Sequence, residues 1–99
     1  MKVDGIFDLF GFEHGKLILD GLSKELEQLL AAIDQNDPLL ANYVHNAIGS
    51  TGVVGMTGLS EMLRSFEVNI PNYTFDRDYL ISEVKHSIIH ALNLIDTYL

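Results

Sequence analysis

Leu19-Asp20-Gly21-Leu22-Ser23-Lys24-Glu25-Leu26-Glu27-Gln28-Leu29-Leu30-Ala31-Ala32-Ile33 is the stretch that sets the fold class. Leu19, Leu22, Leu26, Leu29 and Ile33 follow one another in steps of 3, 4, 3 and 4. That spacing places them on one face of a helix turned toward a core, and it predicts a helix from Lys16 to Asp34. Beyond it, Asp34-Gln35-Asn36-Asp37-Pro38 is a breaker, with Asp37 placed to cap a second helix and Pro38 at its first position. This second helix is expected to bury Leu40, Val44, Ala47 and Thr51 and to stop near Gly55, a residue suited to the left-handed conformation after a helix.

The same reading extends to both ends of the chain. Thr57 is placed to cap a third helix carrying Leu59, Met62, Leu63 and Phe66, closed by Pro71. Thr74 precedes a fourth, in which Leu80, Val84, Ile88, Ala91, Ile95 and Tyr98 step by 4, 4, 3, 4 and 3. Ile6, Phe7, Phe10 and Phe12 suggest a short N-terminal helix or turn covering one end. No stretch alternates with a period of two, so the expected fold is all-α, an antiparallel four-helix bundle. Residues 1–99 make a single domain, within the usual range of about 50–250 residues.

Six Lys and Arg against fourteen Asp and Glu give a net charge of -8, which repels nucleic acid and anionic membrane surfaces. The charge is uneven: Pro38 to Ser60, 23 residues, holds no Asp, Glu, Lys or Arg. That length is enough to cross a bilayer, but Asn42, His45, Asn46, Ser50 and Thr51 would be desolvated there. Gly49, Gly52, Gly55 and Gly58 leave little apolar bulk to offset the cost. The N-terminus lacks the basic start and apolar run of a secretory signal, so a cytoplasmic location is the default expectation. The absence of cysteine removes disulfides, zinc-thiolate sites and thiol nucleophiles.

The uncharged helix displays His45. At 100° per residue, Leu40, Val44, Ala47, Thr51 and Val54 fall roughly 100° to 180° away from it, so His45 points to solvent. Ala41, Ile48, Gly49 and Gly52 lie within about 60° of it. Three of these four are Ala or Gly. A helical glycine costs about 1 kcal/mol relative to alanine, and the core lies on the opposite side. The two glycines therefore point to a partner backbone that comes close to His45.

His45-Asn46-Ala47-Ile48-Gly49-Ser50, followed by Gly55, Leu59 and Glu67, resembles the signature of histidine-containing phosphotransfer (HPt) domains, written H-x-x-K-G-S with a later L-G and L-E. Leu29 to Asp37 is similar to the segment that precedes the phosphorylated helix in that family. By motif the resemblance covers about Lys16 to Glu67, and the remainder only by helix pattern. It implies a phosphocarrier of a two-component relay, with His45 as phosphoacceptor. It implies as partners a response regulator receiver domain, a hybrid histidine kinase, or both, with magnesium held by the receiver and no cofactor on this chain. Such a domain is a phosphotransfer intermediate rather than a free-standing enzyme, and a monomer is its expected state.

In chemotaxis-kinase members a glutamate at the Glu67 position hydrogen-bonds the phosphorylated histidine, so Glu67 is expected to orient the His45 ring. One position departs from the pattern: the family's lysine three residues after the histidine is replaced by Ile48. Arg64, three residues before Glu67 on the same helix face, is a candidate substitute contact for the phosphate. A plain Arg64–Glu67 surface ion pair is the alternative. Ile48 would otherwise extend an apolar docking surface, with Leu39 and Met56 at its ends, unless the N-terminal segment folds over it and buries it. The rival function is a helical docking protein of the same fold that binds a receiver or kinase without being phosphorylated. Elsewhere, His86 and His90 have i, i+4 metal-ligand spacing but no fixed third ligand. His14 beside Gly15 reads as a turn residue without a partner, and the glycines lack the strand and Lys-Ser/Thr pair of a nucleotide loop.

Overall fold

Each predicted apolar stripe becomes the inner face of a helix. The computed structural model describes residues 4–69 and 77–99 and contains α1 (Asp4–Phe10), α2 (Phe12–Gln35), α3 (Leu40–Val53), α4 (Thr57–Asn69) and α5 (Arg77–Asp96), with no strand among the described residues. Leu19, Leu22, Leu26, Leu29 and Ile33 of α2 are all buried, as are Val44, Ala47 and Thr51 of α3. From α4 come Leu59, Leu63 and Phe66, and from α5 Val84, Ile88, Ala91 and Ile95. The expected ends of the α5 stripe, Leu80 and Tyr98, are half-buried. Pro71 and Thr74 lie outside the described residues.

The helices contact one another in a closed circuit: α2 packs on α3 and α5, α4 packs on α3 and α5, and α1 packs on α2. Named contacts join these pairs. Ser50 of α3 meets Glu25 of α2 and Ser60 of α4 meets the backbone of Ile48, while Lys85 of α5 pairs with Asp34 near the end of α2. No helix among the described residues is long and apolar enough to cross a membrane. Thr51, although a buried hydroxyl, donates to the Ala47 carbonyl at 2.7 Å, and no buried side-chain polar atom among the described residues lacks a partner.

The connections explain where the helices stop. Asn36 adopts the left-handed conformation, φ 51°, and the Asn36 and Asp37 N–H groups return to Ile33 and Ala32, closing α2 in a Schellman turn. Asp37 accepts the Leu39 N–H at 2.8 Å in the turn that leads into α3, but it does not cap the helix as expected: α3 starts at Leu40 with Leu39 at the cap position and no side-chain cap bond, so Pro38 lies in the turn and not at the first helical position. Gly55, φ 86°, repeats the device after α3: the Gly55 N–H reaches the Gly52 carbonyl and the Met56 N–H reaches Thr51. Because the Met56 carbonyl accepts the Ser60 N–H, Met56 takes the position of the cap. Thr57, expected there, is already inside α4.

At the N-terminal end the helix boundary differs from expectation. α2 begins at Phe12 instead of Lys16, and His14 and Gly15 are helical. Gly15 is there for packing: a Cβ built on it would lie 2.7 Å from the Phe7 ring. Gly11, φ 82°, turns the chain so that α1 folds back, with Ile6 buried and Phe7 set against Phe12 and Tyr98 at 5.7 and 5.4 Å between ring centroids. The expected covering segment is thus a helix, although Phe10 and Phe12 remain largely exposed. Leu26→Ala, which empties a site with 0% exposure, is expected to lower stability by about 2–5 kcal/mol, read from the urea unfolding midpoint.

Candidate functional site

The burial of Val44, Ala47 and Thr51 fixes the rotation of α3 and turns His45 outward, with its side chain 77% exposed. Ala41, Gly49 and Gly52 are exposed beside it. A Cβ placed on Gly49 meets nothing within 4 Å, and one on Gly52 meets only the Ser60 hydroxyl at 3.7 Å, an ordinary contact. Both glycines have unexceptional φ values. Neither packing nor backbone conformation therefore asks for glycine at these two positions, and the wall beside the imidazole is open.

Two flanks hold α3 in place. On the α2 side the Ser50 hydroxyl donates to Glu25 at 2.8 Å. On the α4 side the Ser60 hydroxyl donates to the Ile48 carbonyl at 3.0 Å, and about two turns further along α4, Glu67 Oε2 lies 3.0 Å from His45 Nδ1. An ionised carboxylate only accepts hydrogen bonds, so Nδ1 is the nitrogen that carries the ring proton in this contact. In the neutral ring the lone pair then resides on Nε2. His45 and Glu67 come together although 22 residues separate them.

Ile48 departs from the exposed apolar position expected of it. It is half-buried and packs against the core, on the helix whose backbone Ser60 of α4 bonds at the Ile48 carbonyl. Met56, expected at the end of an exposed strip, is wholly buried, while Leu39 is 54% exposed. Sequence reasoning passed over Val53, 70% exposed, although its place roughly 80° from His45 on the helical wheel was a sufficient signal. Arg64 is exposed and lines a shallow depression beside α3 with Gly52, Thr57, Ser60 and Glu61. Glu67 turns to His45, and among the described residues Arg64 forms no ion pair.

His86 and His90 are both exposed on α5, and no three His, Asp or Glu side chains converge among the described residues. His14 stands exposed on α2 with its ring 6.2 Å from that of Phe10. No protein-family model matches the chain, and no curated protein or solved structure matches it. Chemically, the site offers one nucleophilic nitrogen on an open helix face, oriented by one carboxylate. Long-range proton–nitrogen correlation spectra are expected to show His45 with its proton on Nδ1, and Glu67→Ala is expected to shift the ring toward the Nε2–H form.

Proposed function

We propose that the chain is a histidine-containing phosphotransfer domain, a single antiparallel four-helix bundle that carries a phosphoryl group on His45 between receiver aspartates or from a hybrid kinase. The observation that carries this reading is the pairing of an exposed imidazole with Glu67 at 3.0 Å on a face where Gly49 opens onto free space. The motif around His45 supports it independently of the geometry. In this reading the chain works in the cytoplasm, holds no cofactor, and docks onto receiver domains rather than nucleic acid or membranes.

The chemistry balances with the groups present. Nε2 of neutral His45 attacks the phosphorus of an aspartyl phosphate; the N–P bond forms as the P–O bond to the aspartate breaks, and the carboxylate leaves with the electron pair. The ring becomes a phospho-imidazolium whose Nδ1 proton stays on the hydrogen bond to Glu67, so the carboxylate offsets the charge and no proton needs to leave. Reversal hands the group onward. Phosphoryl transfer is mainly positioning and charge neutralisation, and the magnesium that neutralises the transferring group belongs to the receiver.

A second reading is favoured by one residue. With Ile48 where the family carries lysine, the same fold would serve as a docking protein that binds a receiver or kinase and is never phosphorylated. Incubation with phosphorylated receivers separates the two: the carrier acquires acid-labile, base-stable phosphate on His45, and His45→Gln acquires none. Label that persists in His45→Gln, or binding to a receiver without any label, rejects the carrier. Gly49→Leu is expected to keep the helical spectrum and unfolding midpoint, since its side chain enters free space, while abolishing receiver binding in a titration. Unaltered binding would remove the open face from the account.

A further inference from the structure

Arg64 stands apart from Lys16, Lys24 and Lys85. Lys24 pairs with Asp20, Lys85 pairs with Asp34, and the Lys16 ammonium lies 4.5 Å from the centre of the Phe12 ring. Among the described residues Arg64 has neither an ion pair nor a hydrogen bond nor a ring contact, although Glu61 and Glu67 lie one turn to either side of it on α4. In a chain of net charge -8, an unengaged guanidinium beside the candidate site is a distinctive placement.

Its position follows from the contacts on either side. Ser60, four residues earlier, bonds the Ile48 carbonyl, and Glu67, three residues later, meets His45. Residues at i, i+4 and i+7 share a helix face, so Arg64 rises from the rim of α4 next to α3. It stands about 4.5 Å along the axis from Glu67, a span its long side chain covers. The depression it lines has Gly52 as its α3 wall, and Gly49 adds no side chain above it. Pro38 to Ser60 holds no Lys or Arg, so α3 offers no cation of its own.

We propose that Arg64 is the group that holds the phosphoryl oxygens at His45 Nε2, moving to α4 the cationic role that a lysine at position 48 fills elsewhere; this rests on the carrier reading above. The planar guanidinium donates two parallel N–H bonds to non-bridging oxygens and stays protonated throughout. It makes and breaks no covalent bond. Glu61 shares the depression but is not paired with Arg64, so the guanidinium is not held away from an arriving phosphoryl group. The bare α3 wall leaves room for the group between the two helices.

The test uses the whole chain and potassium phosphoramidate, a small donor that phosphorylates histidine without a receiver. Wild type takes acid-labile phosphate on His45, and Arg64→Ala slows the initial rate roughly tenfold, the size of one charge-assisted hydrogen bond. Ile48→Lys introduced into the Arg64→Ala chain restores most of that rate, a rescue that a merely structural role for Arg64 would not give. Arg64→Gln, which keeps the packing of the stem, carries the same expectation should the alanine variant fold poorly. A rate unchanged in both Arg64 variants, or a loss that Ile48→Lys does not relieve, overturns the Arg64 assignment and leaves the carrier reading standing. Absence of label on wild-type His45 with phosphoramidate and with phosphorylated receivers alike overturns both.

Discussion

The rotation of α3 about its own axis is set by three side chains, Val44, Ala47 and Thr51, each fully buried. A rotation of one residue, about 100°, would withdraw those groups from the core. Several kcal/mol of apolar burial therefore hold His45 outward, and the polar clamps need only refine the angle. Glu25 through Ser50 on one flank, and Ser60 and Glu67 on the other, do this with hydrogen bonds that run to α3 from two neighbouring helices. Orientation of the imidazole is thus inherited from packing, and its tautomer from one carboxylate.

The distribution of charge takes a physical meaning from this frame. The segment Pro38 to Ser60 carries none, and its outer surface is built of Ala41, Gly49, Gly52 and Val53 around His45. Charged side chains reach α3 from other helices, Glu25 of α2 at Ser50 and Glu67 of α4 at His45, and Asp37 stands just before its start. A partner pressing on α3 meets little desolvation cost at the centre and polar groups at the edges, the arrangement common to protein interfaces. The repulsion that the net charge of -8 exerts on an acidic partner is screened by salt beyond about 8–10 Å.

Much of the helical layout was legible in the sequence because it rests on periodicity, which is local. The steps of Leu19 to Ile33 and of Leu80 to Tyr98 name the inner faces without reference to any other part of the chain. The outward direction of His45 was legible for the same reason. What escaped depends on neighbours. Gly15 reads as a turn until Phe7 is found lying across it. Ile48 reads as exposed on a wheel that knows nothing of α4, yet it is half-buried against the core and Ser60 of α4 bonds its carbonyl. Thr57 reads as a cap, but the Schellman turn at Gly55 uses the Met56 N–H and sets the start of α4 one residue earlier. The register of Glu67 with His45 was suggested by motif resemblance alone, since periodicity within one helix carries no information about the next.

The connection from α3 to α4 contains only Val54, Gly55 and Met56, and it has a consequence for the order of assembly. His45 and Glu67 belong to one helical hairpin, so their meeting requires closure of a single short loop and not the arrival of a distant segment. Loop-closure entropy grows with loop length, and chains dominated by near-neighbour contacts fold fast. The His45–Glu67 pair is therefore among the cheaper contacts between helices to form during folding. Docking of α5, whose partners on α2 lie some fifty residues away in the chain, demands the larger loss of chain entropy and governs global cooperativity rather than the geometry at His45.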